Sequence, residues 1–244
     1  MKGKNVMKNK ISGKIVALLL TLIIVATSGM PLYAKETGDK ANSFRYENGQ
    51  SIAKAVPFST LSPNAWKKID GKYYSGDGSV IEGAVAKGID VSHHQGTVDW
   101  KKAKEDGVEF AIIRCGFGMN QTKQDDAQWF NNVKGCEENN IPYGVYLYSY
   151  ADTVKKAQSE AEHVLRLIKG HTLAYPVYYD IEEKAVLNKL TAEQLGKIAA
   201  TFVNKVKAEG YQTGIYSNKS NFETFLTDSQ FSQWNKWVAQ YNSA

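Results

Sequence analysis

The chain has 244 residues, 43% of them hydrophobic and 23% charged. That is a globular balance, and it excludes disorder, collagen-like and coiled-coil architectures for most of the length. The net charge of +5 is misleading, because residues 1–34 hold five lysines (Lys2, Lys4, Lys8, Lys10, Lys14) and no acid. Setting those five aside leaves 25 basic against 25 acidic residues, so a nucleic-acid partner has no electrostatic basis.

The N-terminal pattern accounts for the lysines. A polar, lysine-rich stretch precedes the twelve-residue apolar run Ile15–Ala26, and Gly29-Met30-Pro31 leads to the small residue Ala34. This is the order of a secretory signal peptide, with cleavage expected after Ala34. An uncleaved signal anchor is the alternative, although twelve residues are short for a span of roughly twenty. Either way the remainder is expected outside the cytoplasmic membrane, secreted or cell-wall associated, with no membrane partner after cleavage. Cys115 and Cys136 then allow a disulfide, or serve as small buried residues. Two cysteines without a histidine at ligand spacing give no zinc site.

Residues 35–65 have no sustained period and read as a linker or surface extension. Residues 66–86 place aromatic-bearing stretches on both sides of Gly76-Asp77-Gly78, a hairpin signal. The segment resembles one copy of the aromatic repeats with which secreted cell-wall proteins hold glycan or teichoic acid. A hairpin packed on the following domain is the simpler alternative.

From Lys87 onward strands and helices alternate. GIDVS is a strand, and WKKAKEDG a short helix ending at Gly107. VEFAIIRCG is an apolar strand. DDAQWFNNVKGCEENN is a helix with Trp129, Phe130, Val133 and Cys136 on one side. IPYGVYLYSYA is a strand, and VKKAQSEAEHVLRLIKG a long amphipathic helix closed by Gly170. LAYPVYYDIE is a strand. The next helix starts at Thr191, carries Glu193 in its first turn and ends before Gly210. YQTGIYS is a strand, a short helical stretch runs to Trp234, and KWVAQYN is the sixth strand. The alternation predicts an α/β fold with a parallel sheet and helical crossovers. Six strands without a Gly-rich dinucleotide fingerprint favour a (β/α) barrel over a doubly wound sheet, although the pattern leaves both open.

Active sites of parallel α/β folds lie at the carboxyl ends of the strands. Those ends hold Asp90, Ser92, His93, His94 and Gln95; Arg114; Tyr146, Tyr148 and Tyr150; Asp180 and Glu182; Tyr216, Ser217 and Asn218; and Trp237, Gln240 and Tyr241. Asp180 and Glu182 carry the most information. An i, i+2 spacing points both to one side of a strand, and like charges beside an apolar run push one pKa up. One carboxyl is then a proton donor near neutral pH while its neighbour stays charged, as glycoside hydrolysis needs. A solvated D-x-E-E loop is the alternative, since Glu183 follows directly. Adjacent His93 and His94 lack the i, i+4 geometry of a helical zinc motif, so no metal is expected.

Taken in order, GIDVSHHQGTVDW, VEFAIIRCGFG, IPYGVYLYSYA, YPVYYDIEE, GIYSN and WVAQYNSA resemble the glycoside hydrolase family 25 muramidases over residues 87–244. The resemblance implies an irregular (β/α) barrel with a groove for the glycan strands of peptidoglycan. It implies cleavage of the β-1,4 bond between N-acetylmuramic acid and N-acetylglucosamine; no cofactor is expected, since acid/base hydrolysis needs only water, and a monomer is expected. Glu182 matches the family's general acid/base, Asp180 the carboxylate beside it, and Asp90 the acid ending the first strand. Asp180 either orients the substrate's 2-acetamido group as it attacks the anomeric carbon, or a carboxylate attacks directly; the D-x-E pair favours the first. Substrate contacts are expected from Arg114, Tyr146, Tyr148, Tyr216, Trp237, Gln240 and Tyr241. Two departures stand out. Residues 114–118 read RCGFG where some members carry K-x-[ST]-E-G, and the chain stops at Ala244, where the family continues with two further strands and an aspartate. A C-terminally incomplete barrel is therefore expected, and a non-catalytic peptidoglycan-binding protein or decayed enzyme is the competing reading. A barrel glycosidase acting on chitin-like chains is a third.

Overall fold

In the computed structural model of the chain, the described residues are 67–75 and 78–239, with a two-residue pairing of Tyr46–Glu47 against Gln50–Ser51. The proposed signal peptide falls outside them. Six strands form one sheet: β1 (Gly88–Val91), β2 (Phe110–Phe117), β3 (Tyr143–Tyr148), β4 (Val177–Asp180), β5 (Thr213–Asn218) and β6 (Asn235–Ala239). They pair in sequence order, and every pairing is parallel. The sheet curls into a half barrel whose convex face is covered by helices.

Period-2 alternation sorts the strand residues between the two faces. Val91, Ala111, Ile113, Val145, Leu147, Val177, Tyr179 and Ile215 join the core beneath the helices. Asp90, Arg114, Tyr146, Tyr148, Tyr178, Asp180 and Tyr216 have the opposite parity and turn to the concave side. This explains why the strands read as apolar throughout: both faces are filled.

The helices are α1 (Trp100–Glu105), α2 (Trp129–Glu138), α3 (Val154–Ile168), α4 (Lys184–Leu187), α5 (Ala192–Ala208) and α6 (Lys219–Thr224). Thr191 caps α5 in a reciprocal box with Gln194, two orphan donors satisfied at once. The α4 turn is not evident from the hydrophobic pattern. The long helices bury apolar stripes: Ala157, Ala161, Val164 and Ile168 of α3, and Leu195, Ala199, Phe202 and Val206 of α5. On α2 the expected stripe holds for Trp129, Val133 and Cys136 but not for Phe130, which is 67% exposed. Residue 130 follows Trp129 by 100° of helical rotation, enough to leave the buried face. Cys115 and Cys136 are both buried free thiols rather than a disulfide.

The hairpin is present, with Lys67–Ile69 paired antiparallel to Lys72–Tyr74. The chain reverses across the expected Gly76-Asp77-Gly78 stretch, where the Ser75 N–H donates to the Ser79 carbonyl at 2.9 Å and the Gly78 N–H to the Ser75 carbonyl at 3.0 Å, and an earlier tight turn lies at Asp70-Gly71, where φ is 49° and 78°. Two positive φ values define a type I′ turn, which Asp-Gly favours. Across the later reversal Tyr74 bridges Val80. Buried Tyr73 donates its hydroxyl to Glu109, which also accepts from Lys68 Nζ at 2.6 Å and from the Lys87 backbone N–H at 2.7 Å. The hairpin is thus fastened beside the start of β2, at the end of the sheet away from the strands' carboxyl termini.

Candidate active site

The register of the sheet gathers the acidic and aromatic residues. Tyr148, Asp180, Tyr216 and Trp237 are successive cross-strand partners on β3 to β6. Arg114, Tyr146 and Tyr178 form the row beneath. The Trp237 ring lies 4.4 Å from Tyr216, 5.5 Å from Tyr178 and 5.6 Å from Tyr146, centroid to centroid. These are tilted or edge-on arrangements, as aromatic quadrupoles prefer. Gly214 makes room for this cluster: a Cβ there would fall 2.7 Å from the Tyr178 ring and 2.8 Å from the Asn235 carbonyl.

Asp180 is fully buried at the end of β4. Glu182 lies two residues further on, with Oε1 enclosed and without a hydrogen-bond partner among the described residues. Burial raises its pKa well above the ordinary value, and the charges of Asp180, Asp90 and Glu183 raise it further. Four carboxylates close to one another cannot all ionise easily. Asp90 remains open to solvent. The protein mass around it raises its carboxyl to about 6, against a backbone hydrogen bond that lowers it. The Tyr146 hydroxyl is likewise buried without a partner among the described residues. Two polar groups in a ring-lined concavity are thus enclosed but not satisfied, and buried polar atoms are normally paired.

The S-x-x-Q part of the first motif has a local structural role. Ser92 and Gln95 form a capping box on a short 3-10 turn, with Ser92 N–H donating to Gln95 Oε1 at 2.8 Å. That turn presents His93 beside Arg114. Arg114, expected among the substrate contacts, is only 1% exposed. Its Nε donates to Asp126 Oδ2 at 2.8 Å, and its terminal nitrogen meets His93 Nδ1. Asp126 also accepts from the backbone N–H groups of His93 and Gln128. Burial alone would raise Asp126. The His93 bond, the Arg114 charge and the two backbone donors instead hold it at about 2. Arg114 therefore lies under the site as half of a buried ion pair.

The structure brings Asp90, Asp180, Glu182, Tyr146, Tyr148, Tyr216 and Trp237 onto one concave face. Gln240 and Tyr241 fall outside the described residues. Sequence inspection missed Tyr178 and Asp126. Tyr178 shares parity with Asp180, a signal that was legible. Asp126 stands in a loop twelve residues from Arg114, and no spacing rule links the two. Among the described residues no group of three or more His, Cys, Asp or Glu could hold a metal ion, and no helix is long and apolar enough to cross a membrane.

A parallel half barrel thus carries acids at its strand ends and aromatic rings on its concave face. The family model for glycosyl hydrolases family 25 matches residues 89–244, and the chain belongs to that family. It is 28% identical over 155 residues to an autolytic lysozyme of Clostridium acetobutylicum, covering 64% of this chain and 45% of the relative. Among solved structures, the modular autolysin LytC of Streptococcus pneumoniae is 33% identical with a TM-score of 0.63, over 73% of this chain and 44% of that one. LytC has also been solved with a synthetic peptidoglycan ligand. A family GH25 lysozyme of Aspergillus fumigatus, 22% identical with a TM-score of 0.56 over 65% of this chain and 78% of that one, shares the fold. The chain spans less than half the length of the Clostridium and Streptococcus relatives.

Proposed function

We propose that this chain is a muramidase that cleaves the β-1,4 bond between N-acetylmuramic acid and N-acetylglucosamine in peptidoglycan. The observation that carries this reading is the state of Glu182: a carboxyl raised by burial and by three acidic neighbours, with one oxygen left without a partner among the described residues. Such a group holds its proton near neutral pH and has it to give. The similarity to an autolytic lysozyme and to an autolysin solved with a peptidoglycan ligand supports the substrate class.

In this reading Glu182 donates its proton to the glycosidic oxygen as the C1–O bond breaks. The carbonyl oxygen of the substrate's own 2-acetamido group closes on C1, giving an oxazolinium ion. Asp180 orients the acetamido N–H and stabilises the positive charge, and Asp90 adds negative potential. Glu182, now ionised, takes a proton from the water that reopens the ring, so the configuration at C1 is retained. This route differs from direct carboxylate attack. The accessible parts of Tyr178 and Trp237 offer ring faces to sugar C–H groups, with Tyr146, Tyr148 and Tyr216 buried around them, and Gln240 and Tyr241 are further candidate substrate contacts. Arg114 acts from beneath by fixing His93 and Asp126. Residues 1–34 direct export, and the protein works outside the cell or on the wall.

The test is release of soluble muropeptides from purified peptidoglycan by the wild type and by Glu182→Gln. Loss of release in a variant that still folds supports the assignment, and retained release overturns it. Product release from chitin oligomers in parallel separates a muramidase from a chitin-type glycosidase. The N-terminal residue of protein recovered from the medium tests cleavage after Ala34.

A further inference from the structure

Glu182 Oε1 has no hydrogen-bond partner among the described residues, so the backbone on either side has a large share in its direction. On the near side, Ile181 continues the β4–β5 ladder one residue beyond the strand, donating its N–H to the Tyr216 carbonyl at 3.0 Å. The Ile181 carbonyl accepts a hydrogen bond from the hydroxyl of Ser217 at 2.6 Å. Ser217 is fully buried, and its Oγ in turn accepts from Asn221 Nδ2 at 3.0 Å. Asn221 is fixed in the first turn of α6, where its N–H donates to the Asn218 cap at 2.8 Å. On the far side, the Glu183 carboxylate caps α4 through the Ala185 N–H and accepts from the Tyr148 hydroxyl at 3.1 Å.

The Ile181 carbonyl and the Glu182 N–H belong to one planar peptide unit. Holding that oxygen fixes the plane from which the Glu182 side chain departs. We propose that Ser217, braced by Asn221, is a positioning residue that sets the aim of the Glu182 carboxyl at the glycosidic oxygen. The inference rests on the catalytic reading of Glu182. Without the hydroxyl the buried Ile181 carbonyl loses its partner, the plane is free to rotate, and the carboxyl wanders by a fraction of an ångström. A displacement of about 1 Å at a reacting group costs up to roughly 10²-fold in rate.

The experiment is steady-state muropeptide release by the full-length protein carrying Ser217→Ala, Ser217→Thr or Asn221→Ala, with thermal midpoints recorded for each. Ser217→Ala is expected to lower kcat by about 10- to 100-fold with KM little changed, and to move the high-pH limb of the kcat/KM profile, which reports the Glu182 proton. Ser217→Thr, which keeps the hydroxyl, is expected to recover most of the loss, and Asn221→Ala to show a smaller loss of the same kind. An unchanged kcat and limb in Ser217→Ala overturn the proposal, as does a loss that only tracks the unfolded fraction. If the Ser217 variants do not fold, Asn221→Ala decides on the same readouts. Glu182→Gln run alongside separates the two readings. Turnover retained there removes the role of Glu182 itself, whereas turnover lost there but kept in Ser217→Ala removes only the positioning role.

Discussion

Two buried carboxyls, Glu182 and Glu160, have raised pKa values for the same primary reason and opposite surroundings. Glu160 projects from α3 into the helix-covered side of the sheet and is fully buried. Its Oε2 accepts from the Ser149 hydroxyl at 2.8 Å and the Tyr179 hydroxyl at 2.5 Å, and its Oε1 from the Tyr150 N–H at 2.9 Å. Burial raises it, these donors oppose the rise, and it comes to about 7. Glu182 has three acidic neighbours instead and an oxygen without a partner. A raised pKa alone therefore does not mark a catalytic acid. What separates the two is whether the carboxyl's bonding capacity is already used inside the protein, because an unused buried oxygen is a cost the fold bears for a ligand.

The largest expected effect lies on the catalytic side of the contrast. Glu182→Gln keeps the shape and removes the proton, and muropeptide release is expected to fall by about 10²- to 10⁴-fold, read as kcat on purified peptidoglycan. Glu160→Ala breaks the other side. It removes the acceptor of the Tyr179 hydroxyl and the Tyr150 N–H, leaves Ser149 only the Tyr179 oxygen at 2.9 Å, and opens a cavity, so a stability loss of about 3–5 kcal/mol is expected in denaturant unfolding. Glu160→Gln, which keeps one acceptor oxygen, should recover part of it. Similar midpoints for Glu160→Ala and wild type would erase the distinction drawn here.

A third buried acid sharpens the comparison. Asp126 is spent on the Arg114 guanidinium, and Asp126→Asn leaves that cation without its charge partner. The expected loss is about 3 kcal/mol. Its pKa of about 2 lies below the ordinary 3.8, so the folded state binds the proton less readily than the unfolded chain. The contribution is present above about pH 4 and fades as pH falls toward 2. Wild type and Asp126→Asn should therefore converge in stability at the acid end of a pH series.

These contrasts were unequally legible in the sequence. The strand–helix alternation and the parity of residues 178, 180 and 182 follow from backbone periodicity, which any apolar pattern exposes. So do the capping signals at Thr191 and the acids at the strand ends. The turn signal of the glycines at 76 and 78 holds, and the Asp70-Gly71 turn before it was equally legible. The use made of each acid was not legible. Glu160 reads as one polar residue on an amphipathic helix, and only the tertiary approach of α3 to Ser149, Tyr150 and Tyr179 gives it three donors. Asp126 meets Arg114 because the loop after β2 folds back across the strand ends. Ser217 looked like one of several polar residues ending β5, and its bond to Ile181 depends on the β4–β5 register. Pattern fixes which face a side chain occupies; partner choice is decided by contacts between segments far apart in sequence.

The smallest effect has the more telling sign. Glu182→Gln should stabilise the protein at neutral pH while it abolishes turnover, because the amide is neutral at every pH, whereas burial and the charges of Asp180, Asp90 and Glu183 make the folded chain keep a proton that the unfolded chain releases. A carboxyl whose folded pKa lies above its unfolded value binds protons more readily in the folded state. Stability then falls as pH rises from the unfolded pKa, about 4.3, through the folded one. The variant lacks that fall. Its advantage should be near zero at pH 4 and grow steadily toward neutral pH, read as the difference between two unfolding curves at each pH. The same measurement on Asp126→Asn has the opposite sign throughout, a loss that shrinks toward acid pH. A gain for Glu182→Gln that does not vary with pH would mean that the buried oxygen is relieved by packing rather than by loss of charge, and the proton-holding role of Glu182 would lose its electrostatic basis.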